Sequence, residues 1–216
     1  MPKKAGIAIV TLGAVLILSA LLLFLYNRRE DHLAGQEAES LLSDVESLIE
    51  DRTTEPPAKI DMQVDSTEET TAPTVAPDLP VVTLNGYEYV GYVEIPALEL
   101  KLPVMAEWNY DLLQIAPCRQ FGSSRTDDLV IAAHNYRTHF GRLKELSGAD
   151  AVIFTDMDGI VNTYSVEKIE TLDPYDVDAV LNSGYDLVLY TCTVGGQTRV
   201  SVFCDRVEEI TEQNEN

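Results

Sequence analysis

Asp186-Leu187-Val188-Leu189-Tyr190-Thr191-Cys192-Thr193 and, past a short loop, Arg199-Val200-Ser201-Val202-Phe203-Cys204 decide the fold of this chain. Both runs are rich in β-branched and aromatic residues, as strands are, and each begins or ends on a reactive side chain. A third apolar run, Asp128-Leu129-Val130-Ile131-Ala132-Ala133, leads into His134 and Asn135. A thiol, an imidazole and a guanidinium therefore stand at strand ends, where loops and clefts form. A cysteine nucleophile needs a proton-transfer partner and a donor for the oxyanion that develops on an attacked carbonyl. Those three parts are present, and they point to a cysteine acyl-transfer enzyme.

Working outward, residues 89–95, 98–104, 151–154 and 163–172 alternate or run apolar and read as strands, with a hairpin turn at Asp156-Met157-Asp158-Gly159. Phe140 to Leu146 reads as a short helix, and Val177 to Leu181 as one or two helical turns. Many short strands with few helices, over about 130 residues, predict a β-barrel or sandwich. No internal repeat is apparent.

The N-terminal part is different. Ala5 to Tyr26 contains 22 positions without a charge, enough to cross a bilayer core that needs about 20 apolar residues. A cleaved signal has a shorter apolar region, about 7–15 residues, before a small-residue site. Here bulky Leu22-Leu23-Phe24-Leu25-Tyr26 closes the run, so the sequence predicts an uncleaved anchor. Lys3 and Lys4 precede it and Arg28 and Arg29 follow, a balance that only slightly favours a cytoplasmic N-terminus and an external bulk. The expected organisation is a cytoplasmic N-terminus (1–4), a transmembrane anchor (5–26), a flexible stalk (27–80), a catalytic domain (81–210) and a tail (211–216).

Within that stalk, Leu33, Ala34, Ala38, Leu41, Leu42, Val45, Leu48 and Ile49 form a stripe at helical spacing. It is too short for a stable coiled coil, so a solvated helix is expected. Residues 52–80 hold five prolines and six threonines with few bulky apolar groups, the composition of an extended, disordered spacer.

Charge excludes some functions. The formal net charge is −21, with four basic against fourteen acidic residues in 27–80 and nine against twenty-two in 81–216. Nucleic-acid affinity draws on Lys and Arg, so no nucleic-acid partner is expected. Three cysteines, Cys118, Cys192 and Cys204, cannot all pair internally. Cys118 and Cys204 read as small buried hydrophobes or as a disulfide; Cys192 stands apart because of its company.

Taken together, these residues resemble the sortase family. Val188-Leu189-Tyr190-Thr191-Cys192 with Arg199 is similar to the T-L-x-T-C signature and its downstream arginine, Val188 replacing the first threonine. Ala133-His134-Asn135 with 140–146 resembles the histidine region. Gly91-Tyr92-Val93-Glu94-Ile95-Pro96 and Leu102-Pro103-Val104 resemble the opening strands. The likeness covers residues 85–208. The histidine region is similar to class B or class D members; Thr191-Cys192-Thr193 with its short loop is similar to pilin-type and housekeeping classes. The resemblance implies an all-β domain with short helices: a closed eight-stranded barrel, preceded by one transmembrane helix and a stalk.

It also implies a membrane-bound transpeptidase with its catalytic domain outside the cell. Cys192 would attack the Thr–Gly carbonyl of a Leu-Pro-x-Thr-Gly-like sorting signal on another exported protein. His134 would act as general acid and base, and Arg199 would stabilise the oxyanion, with Arg206 as the alternative arginine. Thr191, Asn135 and Thr193 would contact substrate. An amine, from a cell-wall peptide precursor or a pilin lysine, would resolve the acyl-enzyme. No metal or cofactor is implied: His134 and His139 lack further convergent ligands, and Asp156 and Asp158 lack the rest of a calcium loop. The spacer carries no Asp-Pro-aromatic plug, Asp78-Leu79-Pro80 being the nearest approach. A papain-like arrangement is disfavoured because the histidine precedes the cysteine. A barrel that binds sorting signals without turnover is the alternative.

Overall fold

The computed structural model describes residues 3–54 and 78–207. A long helix, α1 (Lys3–Thr54), precedes strands β1 (Val82–Leu84), β2 (Tyr87–Ile95), β3 (Leu100–Met105), β4 (Cys118–Phe121), β5 (Leu129–Ala133), β6 (Ala151–Asp156) and β7 (Val161–Leu172). The one-turn helix α2 (Asp178–Leu181), β8 (Leu187–Cys192) and β9 (Arg199–Arg206) follow. Eight strands close into a barrel in the order β2-β3-β4-β5-β8-β9-β7-β6, with β6 pairing back onto β2. This is the expected eight-stranded barrel. β1 lies outside the ring as a hairpin partner of β2. Phe140–Glu145 is a 3-10 turn rather than an α-helix.

Closure depends on Gly91. Its φ is +148°, and a Cβ there would lie 2.0 Å from the Thr155 carbonyl oxygen. Only a residue without a side chain lets β2 bulge between Tyr89 and Gly91 and meet β3 and β6 together.

Strand alternation separates inside from outside. Leu187 and Leu189 of β8, Leu129, Ile131 and Ala133 of β5, and Val202 and Cys204 of β9 fill the barrel with Phe154, Tyr164 and Val166. The intervening residues face outward. Val130, Val188 and Phe203 pack under the α2 side, and Ala132, Met105 and Cys118 join a layer beneath α1.

α1 departs from the expected anchor plus solvated stalk. It runs unbroken for 52 residues, about 78 Å at 1.5 Å per residue. Its first half is long and apolar enough to cross a membrane, and Leu16, Leu22 and Phe24 are exposed there. The second half docks against β2 and β3. Ala34, Ala38, Leu41, Leu42, Val45 and Ile49 are buried because the outer face of those strands offers Tyr89 and Met105 to cover. At about 2 kcal/mol per buried Leu, Val or Ile, the docking outweighs a free helix in water.

A charged clasp completes it. Arg52, in the last turn of α1, lies 3.1 Å from Asp158. Arg125 lies 2.7 Å from Asp158 and 2.8 Å from the fully buried carboxylate of Asp156. Arg125 also donates to the Asp78 carbonyl at 3.4 Å, and Leu79 is buried in the barrel core. Arg52 and Asp78, which flank the residues 55–77, therefore meet at one cluster. The bulk of the expected proline-rich linker and the 211–216 tail lie outside the described residues.

Candidate active site

Three neighbouring strands carry the predicted residues to one place. β5 and β8 run parallel with Ala133 opposite Thr191, which sets His134 beside Cys192. β8 and β9 run antiparallel with Cys192 directly opposite Arg199. Adjacent strands lie about 4.8 Å apart, so the three backbones share a strip of about 10 Å at one rim of the barrel. Parity sets direction: Thr191 falls on the inward series of β8, and Cys192 on the outward series with Val188 and Tyr190. The thiol is half-buried and free, not sealed in the core.

Cys192 and Arg199 line a groove of about 220 Å³ whose walls include Trp108, Tyr110, Leu172 and Tyr190. Trp108 and Tyr110 meet edge to face with ring centres 5.0 Å apart. Arg199 donates to the carbonyls of Gly196 and Thr198, both at 3.1 Å, which folds its side chain back along the β8–β9 loop. Burial pushes the Tyr190 hydroxyl up to about 12, although Arg199 opposes it. Tyr190 is therefore a neutral wall of the groove.

His134 is half-buried, and Tyr136 stacks on it with ring centres 4.0 Å apart at 21°. Burial lowers its pKa below the usual 6.5, with the Glu30 charge opposing, so the imidazole is neutral at pH 7. Its Nδ1 is buried and has no hydrogen-bond partner among the described residues. An imidazole held neutral by burial suits proton transfer.

The remaining predicted residues mainly brace this rim. Thr191 is buried, and its hydroxyl donates to the Ala133 carbonyl at 2.8 Å, tying β8 to the strand that ends at His134. The Thr193 hydroxyl sits 2.9 Å from that of Thr198 across the loop. Asn135 donates to the Thr193 carbonyl at 3.5 Å. The hydroxyls expected to contact substrate are thus engaged within the fold, while Asn135 and Thr193 still border a small recess at Cys192.

Arg206, the alternative arginine, is engaged by the fold. It sits at the other end of β9, paired with Asp127 at 2.6 Å and bonded to Asn162 and the Ser124 carbonyl. Cys118 and Cys204 are free, fully buried thiols pushed up to about 12 by burial. Asp156 and Asp158 belong to the clasp, and Asp156 also accepts the Asp158 and Ile160 amides across its turn. Asp78-Leu79-Pro80 does not line the Cys192 groove.

Sequence reasoning missed the aromatic wall and the Tyr136 stack. Two residues on from a predicted catalytic histidine, Tyr136 was the available signal. It also missed that α1 brings Glu30 and Asp31 to this rim, where Thr138 donates to the Asp31 carboxylate at 3.1 and 3.0 Å.

Residues 93–207, more than half of the chain, match the family model described as "Sortase domain". Among solved structures, sortase C-1 from Streptococcus pneumoniae is 27% identical at a TM-score of 0.50, covering 56% of this chain and 68% of that one. Sortase C1 from Streptococcus agalactiae is 25% identical at 0.51, covering 59% and 72%. A lid mutant of sortase A from Corynebacterium diphtheriae shares the fold at 21% identity and a TM-score of 0.50, covering 58% and 73%. No curated protein matches the chain.

Proposed function

The chain belongs to the sortase family of cysteine transpeptidases, and from that premise we propose that it is a membrane-anchored enzyme that cleaves a Leu-Pro-x-Thr-Gly-like sorting signal. The observation that carries this reading is the register of β5, β8 and β9, which aligns His134, Cys192 and Arg199 on one outward-facing rim.

In this reading the apolar half of α1 spans the membrane and the barrel works on its outer side. The sorting peptide lies along the aromatic groove. Cys192 attacks the Thr–Gly carbonyl, and its proton passes through His134 to the departing glycine amine. Arg199 leaves its loop carbonyls for the oxyanion, to which it offers a fixed fork of donors. The thioester is then resolved by an amine from a cell-wall peptide precursor or a pilin lysine, with His134 taking the nucleophile's proton. Asn135, Thr191 and Thr193 hold the rim.

The test uses the full chain in detergent with a peptide pool and several amines, followed by mass spectrometry. An acyl adduct on Cys192, absent from Cys192→Ala and released by amine, is expected. A free thiol that forms no adduct would replace this reading with a non-catalytic, signal-binding barrel.

A further inference from the structure

A second groove, of about 900 Å³, opens on His134 and is walled on one side by the anchor helix itself. The barrel supplies His134 and Arg137; α1 supplies Phe24, Asn27, Arg28 and Glu30. Asn135 and Val194 line both this groove and the recess at Cys192, so the two are neighbours. Its chemistry differs from that of the aromatic groove beside Arg199. It is lined by charged groups, Arg28 and Arg137 beside Glu30 and Asp31, and it carries a carboxylate close enough to act on the His134 charge.

We propose that this groove receives the primary amine of the acceptor, and that Glu30 on the anchor helix is a specificity-determining residue for it; this rests on the transpeptidase reading above. An alkyl amine is mostly an ammonium at neutral pH, so its site needs an anion at the mouth and a base at the end. Glu30, held by the Tyr26 hydroxyl, is the first, and His134 is the second. Asp31 is already engaged by Thr138, which leaves Glu30 to face the ligand. The bound ammonium first gives one proton to bulk water, and the neutral nitrogen then forms its bond to the thioester carbon as the bond from that carbon to the Cys192 sulfur breaks. The proton shed by nitrogen goes to His134, and the thiolate leaves beside the imidazolium. Phe24 belongs to the apolar run, so the groove sits at the level of lipid headgroups. It fits an acceptor presented at the membrane surface.

The full chain in detergent micelles is acylated with a sorting peptide and given triglycine as the amine probe. Water and amine compete for the same thioester, so the ratio of aminolysis to hydrolysis reports amine binding whatever the acylation rate. Glu30→Gln is expected to lower that ratio about tenfold, the scale of one charge-assisted hydrogen bond. Asn27→Trp, which fills the groove, lowers it similarly; Glu30→Asp restores part of it, and Glu39→Gln, on an exposed turn of α1, serves as the control. Ratios within twofold of the parent for both Glu30→Gln and Asn27→Trp overturn the inference while leaving the transpeptidase reading intact. A parent chain that forms no thioester overturns both.

Discussion

The two ends of β9 carry one arginine each, and the two differ in how far the fold engages them. Arg206 is consumed by the fold: Asp127, Asn162, the Ser124 carbonyl and the face of Tyr164 surround its guanidinium. Arg199 donates only to two loop carbonyls among the described residues and borders an open groove. Polar groups saturated by protein partners serve stability. A guanidinium left with spare donors beside a groove, as Arg199 is, remains available to a ligand.

The contrast is most exposed by replacing each arginine with alanine. Arg199→Ala should cut kcat/KM about 10²–10³-fold, as loss of an oxyanion donor does, with melting temperature near the parent's. Arg206→Ala should instead cost about 2 kcal/mol of stability by leaving polar neighbours unpaired, while the folded fraction keeps its activity. Thermal denaturation and peptide-cleavage kinetics on both variants check this; an inactive but fully folded Arg206→Ala protein would erase the distinction.

The histidines extend the comparison to pH. His139 is fully buried under α1, and burial, then His134, holds its pKa down to about 4. Its folded pKa lies below the unfolded value of about 6.5, so the stability it supports is complete above 6.5 and is lost as pH falls toward 4. The loss approaches about 3 kcal/mol at the acid end. Melting temperature should therefore drop between pH 6.5 and 4, and His139→Phe should flatten that slope. His134, lowered in the same direction, should place the acid limb of kcat/KM below 6.5. A limb above 6.5 would mean that His134 meets more negative charge than Glu30 alone provides.

The smallest effect concerns the brace beneath the nucleophile. Thr191→Val keeps volume but removes the hydroxyl bonded to the Ala133 carbonyl, at about 1 kcal/mol. Chemical denaturation should detect that loss, with kcat/KM reduced less than by Arg199→Ala.

Much of this rim was legible because alternation and reactive chemistry coincide in 186–207. Inward Leu187 and Leu189 alternate with outward Val188 and Tyr190, and the period carries through to Cys192. β4 was not legible. It has four residues, two of them Arg119 and Gln120, and meets β3 at the single pair Met105–Cys118. β1 was missed although Asn85-Gly86, both at positive φ, is a strong hairpin signal. α1 was cut in two at Tyr26 because polarity changes there, yet Asn27-Arg28-Arg29-Glu30 contains no Gly or Pro to end a helix. A change of polarity was mistaken for a change of backbone. The docked stripe was visible, but its partner face came from distant strands, which helical periodicity cannot identify.

The clasp joining Arg52, Asp158, Arg125 and Asp78 pins the foot of α1 to the turn between β6 and β7. With the buried stripe from Ala34 to Ile49 it gives the helix two separate points of attachment, so a torque applied to α1 passes into the barrel instead of being lost at a swivel.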